Sequence, residues 1–298
     1  MWKKALGVAG VGLLALCAVL AVGVFTGVPV PDQAAPAFDL GAVRGLAGPG
    51  GPSALHGVEV VAGEQQEMML FVGGGLGKRP MPVVAVELRW DDGRSVLLEP
   101  ATDDHCSEGF LPVASFDRAA WDRMQQAMRR AEAIVATHEH FDHLCGLTRS
   151  PFLDELAGKA VLPPGQLDGT AYMTAADPSA RARLRPTPLD APTRLAPGVV
   201  LIPAPGHTPG SLWVYVRTQE GAELLFVGDT VWKAEALERV APKPRIIGWV
   251  GGEDAEAQAG LLRFLVDLRR EHPEVEVVVA HDEHQWARLR TSGLLRPL

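Results

Sequence analysis

His138-Glu139-His140-Phe141-Asp142-His143 packs three imidazoles and the Asp142 carboxylate into one short run, directly after the apolar stretch from Ala133 to Ala136. Nitrogen and oxygen ligands at that density can seed two neighbouring metal ions from a single loop. Imidazole with carboxylate suits zinc first, with iron or manganese as alternative occupants. A zincin helix is excluded, because His-Glu-x-x-His needs histidine where Asp142 stands.

Further ligand types follow at points where strands should end. Val199-Val200-Leu201-Ile202 reads as a strand, and the turn Pro205-Gly206-His207-Thr208-Pro209-Gly210-Ser211 then presents His207. Leu224 to Val227 is another apolar run, closed by Gly228-Asp229-Thr230, and Val275 to Ala280 delivers His281. Strands converge at a common sheet edge and bring their terminal loops together, so the site is predicted to be assembled from distant segments. Taken singly, His207 reads as a turn residue and Asp229 as a cap. Together with the first motif they read as ligands.

On these residues the chain resembles the metallo-β-lactamase-fold superfamily of metallohydrolases. The resemblance rests on His138, His140, Asp142 and His143, on His207 in Gly-His-Thr-Pro-Gly, on Asp229 in Gly-Asp-Thr, and on His281, all in the family's order. It implies an α/β (α+β) fold, a four-layer αββα sandwich. By the same resemblance His138, His140 and His207 would hold one metal, Asp142, His143 and His281 the second, and Asp229 would bridge them. Asp142 and Asp229 carry the expected catalytic roles, Asp142 anchoring the attacking water and Asp229 relaying a proton to the leaving group.

The chemistry expected of such a pair of zinc ions is hydrolysis, in which a bridging hydroxide attacks an ester, lactone or thioester carbonyl. A small-molecule acyl substrate is therefore expected. Zinc β-lactamases usually place Cys or Ser where Asp229 stands, which demotes antibiotic hydrolysis; phosphodiesterases keep the Asp. A persulfide-dioxygenase-like enzyme with one iron is the redox alternative on the same scaffold.

The sequence departs from the family pattern in three places. Cys145 occupies a position usually held by a small residue, ahead of the expected Gly146. Glu99-Pro100-Ala101-Thr102 stands where relatives often carry an Asp-Thr-Gly turn. His281-Asp282-Glu283-His284 offers two imidazoles for the last ligand, and His281 is preferred because it follows the strand directly.

Several elements must position these groups. Val58–Val61, Glu67–Val72, Val83–Trp90 and Ser95–Glu99 read as strands, with Asp91-Asp92-Gly93 as a hairpin turn. Ser115 is a candidate cap for a helix carrying Trp121, Met124, Met128 and Ala131 at helical spacing. Pro151–Ala157 reads as a short helix, and Gly165–Pro197 as Pro-rich and irregular. A last helix, Asp254–Arg270, would bury Leu261, Phe264, Leu265 and Leu268. Trp232 and Trp249 flank the segment Val231–Gly251, which contains Pro242 and Pro244 and reads as a lid over an apolar pocket. His105 reads as a surface imidazole, and Arg181–Arg185 as a solvated charged face.

At 298 residues and 47% hydrophobic content, the chain can bury a substantial core. The net charge of -8 and the lack of a basic run beyond Lys3-Lys4 argue against a nucleic-acid partner. Residues 5–30 are uncharged and mostly apolar, longer than the ~20 needed to cross a bilayer. With Lys3 and Lys4 before them and Asp32 after, they predict an anchor that leaves residues 1–4 in the cytoplasm. The domain would then lie outside it, periplasmic or extracellular. A cleaved signal with Ala35-Pro36-Ala37 as its processing site, and hence a secreted protein, is the alternative. Residues 31–56 are Pro/Gly/Ala-rich and read as a linker, leaving 57–298 as the catalytic domain. Cys106 and Cys145 remain open between a disulfide and two free thiols.

Overall fold

Strand β2 (Lys78–Arg89) shows how the layers arise, because its residues from Met81 to Leu88 are all buried. Val84, Val86 and Leu88 join one apolar cluster, while Val83 and Ala85 on the opposite face join another. A strand covered on both sides needs an apolar side chain at nearly every position, and Pro82-Val83-Val84-Ala85-Val86 supplies them. The chain is described by a computed structural model over residues 15–107, 113–168 and 178–298.

One sheet runs in the order β11 (Leu295–Pro297), β1 (Ala54–Gln66), β2, β3 (Ser95–Leu98) and β5 (Ala133–Val135), with β4 (Val113–Phe116) also paired to β1. The other runs β10 (Val275–Val278), β9 (Glu223–Phe226), β8 (Leu212–Arg217), β7 (Val199–Pro203) and β6 (Thr193–Ala196). Between them lie Val84, Val86 and Leu98 of the first sheet against Leu201, Val214 and Phe226 of the second. The opposite face of the second sheet, with Val200, Ile202, Trp213 and Leu225, packs on α2 (Leu40–Ala47), α9 (Ala234–Arg239) and α11 (Ala255–Glu271). That of the first, with Val60, Leu97 and Ile134, is covered by α4 (Arg118–Arg130), α5 (Phe141–Thr148) and α6 (Leu153–Leu156). Three apolar clusters thus separate four layers, the αββα sandwich expected from the sequence. Because neighbouring residues face opposite clusters, a one-residue slip of β7 would exchange its two faces.

Shorter pieces complete the frame: α1 (residues 15–25), α3 (Asp104–Ser107), α7 (Pro164–Leu167), α8 (Pro178–Arg183), α10 (Arg245–Gly251) and α12 (Glu283–Thr291). The Asp91-Asp92-Gly93 turn forms as expected, with Trp90 N–H donating to Arg94 O at 3.0 Å and Gly93 at φ 88°.

Five expectations need correction. Glu67–Val72 is not a strand: Glu67–Met69 is a 3-10 turn, and Leu70 and Phe71 drop into the core beneath it. Ser115 lies within β4, and Asp117 caps α4 instead, its carboxylate accepting from Ala120 N–H at 2.9 Å. Within 31–56, Leu40–Ala47 is a helix rather than linker, capped by Asp39 and burying Leu40, Val43 and Ala47 at helical spacing. Gly165–Pro197 contains α7, α8 and β6, the last held by pairing to β7; residues 169–177 lie outside the described residues. The helix at Ala255–Glu271 is followed by another, α12, whose Trp286 and Leu289 close one edge of the inter-sheet core.

Of the expected apolar anchor, residues 5–14 lie outside the described residues and 15–25 are helical. Among the described residues no helix is long and apolar enough to cross a membrane.

Candidate metal centre

Each ligand-type side chain stands just past a strand, on the same rim of the sandwich. Beyond β5 the chain passes Thr137 and His138 and enters α5, with His140 at its N-cap and Asp142 and His143 in its first turn. Beyond β7 comes the loop of His207, beyond β9 the turn Gly228–Thr230 with Asp229, and beyond β10 His281. All seven expected residues are buried and converge. His138, His140, His207 and Asp229 form one group, and Asp142, His143, His281 and Asp229 a second, with the ligand atoms of each group within 4.8 Å of one another.

Asp229 joins the two. Its Oδ2 lies 3.5 Å from His207 Nε2 and 3.7 Å from His138 Nε2, while Oδ1 lies 3.1 Å from His281 Nε2 and 3.4 Å from His143 Nε2. One carboxylate oxygen thus faces each group. Two glycines permit this closeness. Gly228 has φ +50°, and a side chain there would strike Thr137 Oγ1, beside His138. At Gly146 in α5, an added Cβ would fall 1.9 Å from Pro100 O, so α5 could not approach the loop after β3.

That loop supplies a support which the family's usual pattern did not announce. Glu99 Oε2 accepts from His143 Nδ1 at 2.6 Å, and Glu99 Oε1 from Thr137 N–H at 3.2 Å. Glu99 and Ala101 have left-handed backbones, at φ 59° and 54°, each costing on the order of 1–3 kcal/mol. The bonds Glu99 N–H to Val135 O at 2.8 Å and Gly146 N–H to Ala101 O at 3.1 Å hold them there. The departure Glu99-Pro100-Ala101-Thr102 is therefore a substitute, with Glu99 reaching the imidazole.

His207 and His281 are oriented in the same manner. His207 Nδ1 meets Glu253 Oε1 at 2.6 Å, and Lys243 Nζ donates to that oxygen at 2.8 Å. His281 Nδ1 lies 3.0 Å from Pro82 O, and the buried Lys233 donates to His281 O at 2.6 Å and to Glu283 at 2.5 Å. Trp232 Nε1–H donates to Asp229 Oδ2 at 2.7 Å. An imidazole that gives Nδ1–H to an outer acceptor turns its Nε2 lone pair inward, the usual support of a metal ligand. Glu253, Lys243 and Lys233 had no signal in the sequence, because each is a single charged residue remote from the ligand it holds.

The electrostatics differ across the site. Burial, then the neighbouring imidazoles, pushes His138 well below the ordinary histidine range, and burial with His207 pushes His140 down to about 3. Against the cost of burial, Glu99, Asp142 and Asp229 raise His143 well above that range. Asp229 and Asp142 likewise raise His281 to about 9. Burial works against ionising Asp229 too, yet His281, His143 and His138 hold its carboxyl well below the carboxylate range.

These donors fit divalent cations. His207 Nε2 lies 2.9 Å from His140 Nδ1 and 3.2 Å from His138 Nε2, three nitrogens with little to offer one another but lone pairs. Asp229 Oδ1 is buried without a hydrogen-bond partner. A cation in each group answers both deficits.

Other expected residues sort clearly. His284 is exposed and pairs with Glu283, which leaves His281 as the converging imidazole. His105 is exposed. Cys106 and Cys145 form a disulfide with Cα atoms 6.6 Å apart, tying α3 to α5. Trp232 lines a cleft of about 660 Å³ with Met81, Phe141, Ile247 and Val250, and the floor of that cleft is His140, Asp142, His207, Asp229 and His281. Trp249 points outward.

A family model described as the beta-lactamase superfamily domain matches residues 94–249, just over half of the chain. The chain belongs to that superfamily, as a hydrolase of the metallo-β-lactamase fold. Solved structures agree in fold. One titled as an N-acyl homoserine lactone hydrolase with the product N-hexanoyl-L-homoserine at its catalytic metal centre aligns at TM-score 0.63 and 15% identity, over 80% of this chain and 96% of that one. A probable metal-dependent hydrolase from Staphylococcus aureus aligns at TM-score 0.57 and 13% identity, over 77% and 89%. A dizinc quorum-quenching lactonase aligns at TM-score 0.54 and 12% identity, over 77% and 87%. No curated protein matches the chain.

Proposed function

We propose that the chain is a dinuclear zinc hydrolase of acyl esters, with lactones as the favoured class. His138, His140 and His207 would hold one cation, Asp142, His143 and His281 the other, and Asp229 would span them. Two such cations supply a Lewis acid for a carbonyl oxygen and hydroxide at neutral pH. The chain's own residues do the rest. Glu99 and Glu253 fix the rings of His143 and His207, and Trp232 holds Asp229 Oδ2. Met81, Phe141, Trp232 and Ile247 exclude water from the acyl portion of a substrate while its polar end lies over the two groups. Asp229, facing both groups, is placed to relay a proton to the departing alkoxide.

The observation that carries this reading is a largely apolar cleft opening directly onto both ligand groups. The likeness in fold to proteins titled as lactone hydrolases agrees with it. The test is a panel of lactone, thioester, β-lactam and phosphodiester substrates offered to the full chain in detergent with zinc, alongside His138→Ala. Lactone turnover that requires two zinc ions per chain and disappears in His138→Ala is expected. Turnover that survives the substitution rejects the site, and one tightly held iron without hydrolysis transfers the chain to the oxygenase reading.

A further inference from the structure

We infer that the mouth of this cleft lies against a lipid bilayer and that its substrates are amphiphiles whose acyl chains enter from the membrane. The inference deepens the acyl-ester reading and rests on it for the reaction. It begins with α1. Leu16, Val19, Leu20, Val22 and Phe25 are 45–62% exposed and spread over more than half of the helix circumference. Residues 15–25 contain no charged or amide side chain. A surface helix normally pairs an apolar stripe with a polar face, whereas a helix apolar all round belongs in protein core or lipid. Among the described residues α10 covers it at Gly23, and the five side chains named above stay uncovered.

Lipid is the occupant favoured by the sequence. Residues 5–14 continue the same uncharged composition, so the run that ends with α1 at Phe25 is close to the ~20 residues that span a bilayer. Lys3 and Lys4 precede it, cations suited to anionic headgroups.

The helix is fastened to the wall of the cleft. Arg245 N–H donates to Thr26 O at 2.8 Å, coupling the end of α1 to the start of α10. Gly23 lies under the Trp249 ring so closely that an added Cβ would fall 2.6 Å from it, and Gly27 is pressed equally hard against Pro242. Ile247, Val250 and Gly251 of the same α10 line the cleft. Trp249 and Val250 are each 55% exposed. α10 therefore presents one side to the ligand groups and the other, beside α1, to the surroundings. An aromatic at the foot of an apolar helix suits the headgroup level of a membrane, and its neighbour Val250 is both exposed and part of the cleft lining.

Two measurements on the full chain test this. With Cys17→Ser as background, Trp249→Cys carries the one free thiol, because Cys106 and Cys145 are paired. An environment-sensitive fluorophore there should shift to the blue in phosphatidylethanolamine–phosphatidylglycerol vesicles and be quenched by brominated lipid. Trp249→Asp should raise KM for dodecanoyl homoserine lactone presented in those vesicles about tenfold, equivalent to about 1.4 kcal/mol. It should leave KM for the soluble butanoyl lactone unchanged, which also shows that the variant folds. Unshifted emission, or equal changes for both lactones, overturns the inference. Shielding that appears without vesicles and rises with protein concentration overturns it too, assigning the face to a second copy. Shifted emission with no lactone hydrolysed supports the bilayer contact while rejecting the acyl-ester reading.

Discussion

The two ligand groups share Asp229 but are built for opposite protonation. Around His138, His140 and His207 the inner neighbours are mostly other imidazoles, and burial with mutual repulsion keeps His138 and His140 unprotonated. The nearest outer carboxylate, Glu253, is matched by Lys243; against the upward push of burial, Lys243 and His207 hold it at about 2. Around His143 and His281, the carboxylates Glu99, Asp142 and Asp229 act on the rings directly and raise both. His138 and His140 thus wait with free lone pairs, while His143 and His281 hold protons that a cation must displace. A ligand list cannot show this difference, because it arises from what stands behind each ring.

The largest test of the comparison removes the shared group. Asp229→Ala should lower kcat about a thousandfold and reduce bound zinc below two per chain, read by steady-state kinetics and elemental analysis. Retention of two tightly bound ions would mean that the groups are independent.

Removing the outer supports separately should be smaller and selective. Glu99→Gln should weaken cation binding in the group of His143, and Glu253→Gln in the group of His207, each by about ten- to a hundredfold. Competition with a chromophoric chelator resolves the two binding steps. If both variants weaken the same step, the assignment of supports to groups fails.

Glu139 offers a pH test of the backbone of the first group. Its side chain turns away from the imidazoles on either side and accepts from Thr208 Oγ1 at 2.6 Å, next to His207. Burial raises its pKa from 4.5 to about 6. Because the folded value lies above the unfolded one, the carboxyl favours folding most below pH 4.5, and that contribution is lost as pH rises through about 6. Glu139→Gln should abolish this decline and raise the neutral-pH stability of the metal-free chain by about 2 kcal/mol, seen in denaturant melts across that window. An unaltered slope would assign the decline elsewhere.

The smallest effect is expected at Trp232. Replacement by Phe keeps the wall of the cleft but removes the donor to Asp229 Oδ2. A loss of about 1 kcal/mol, or roughly fivefold in kcat with little change in KM, should follow. A change confined to KM would mean that the indole serves only as a wall.

The site was more legible than its surroundings. The imidazoles and carboxylates from His138 to His143 are close in sequence, and His207, Asp229 and His281 each follow a strand whose apolar run is plain, so chemistry and strand end coincide. Glu67–Val72 misled because Leu70 and Phe71 are apolar for reasons of burial while the following Gly73-Gly74-Gly75 turns the chain. Leu40–Ala47 was hidden by the Pro and Gly around it, although Asp39 and the spacing of Leu40, Val43 and Ala47 form a short helix signal. Glu253 and Lys243 were invisible, since a lone acid and a lone base acquire a role only through the partner across the cleft.

By itself the sequence determined which atoms could bind cations and which strands would carry them, because ligand chemistry and hydrophobic period are local properties of the chain. Tertiary structure decided that His281 and not His284 joins the site, that Glu99 supports His143, that Asp229 faces both groups, and that α10 looks inward and outward at once. Those outcomes depend on ångström-scale distances between segments far apart in sequence, and only packing of the four layers sets such distances.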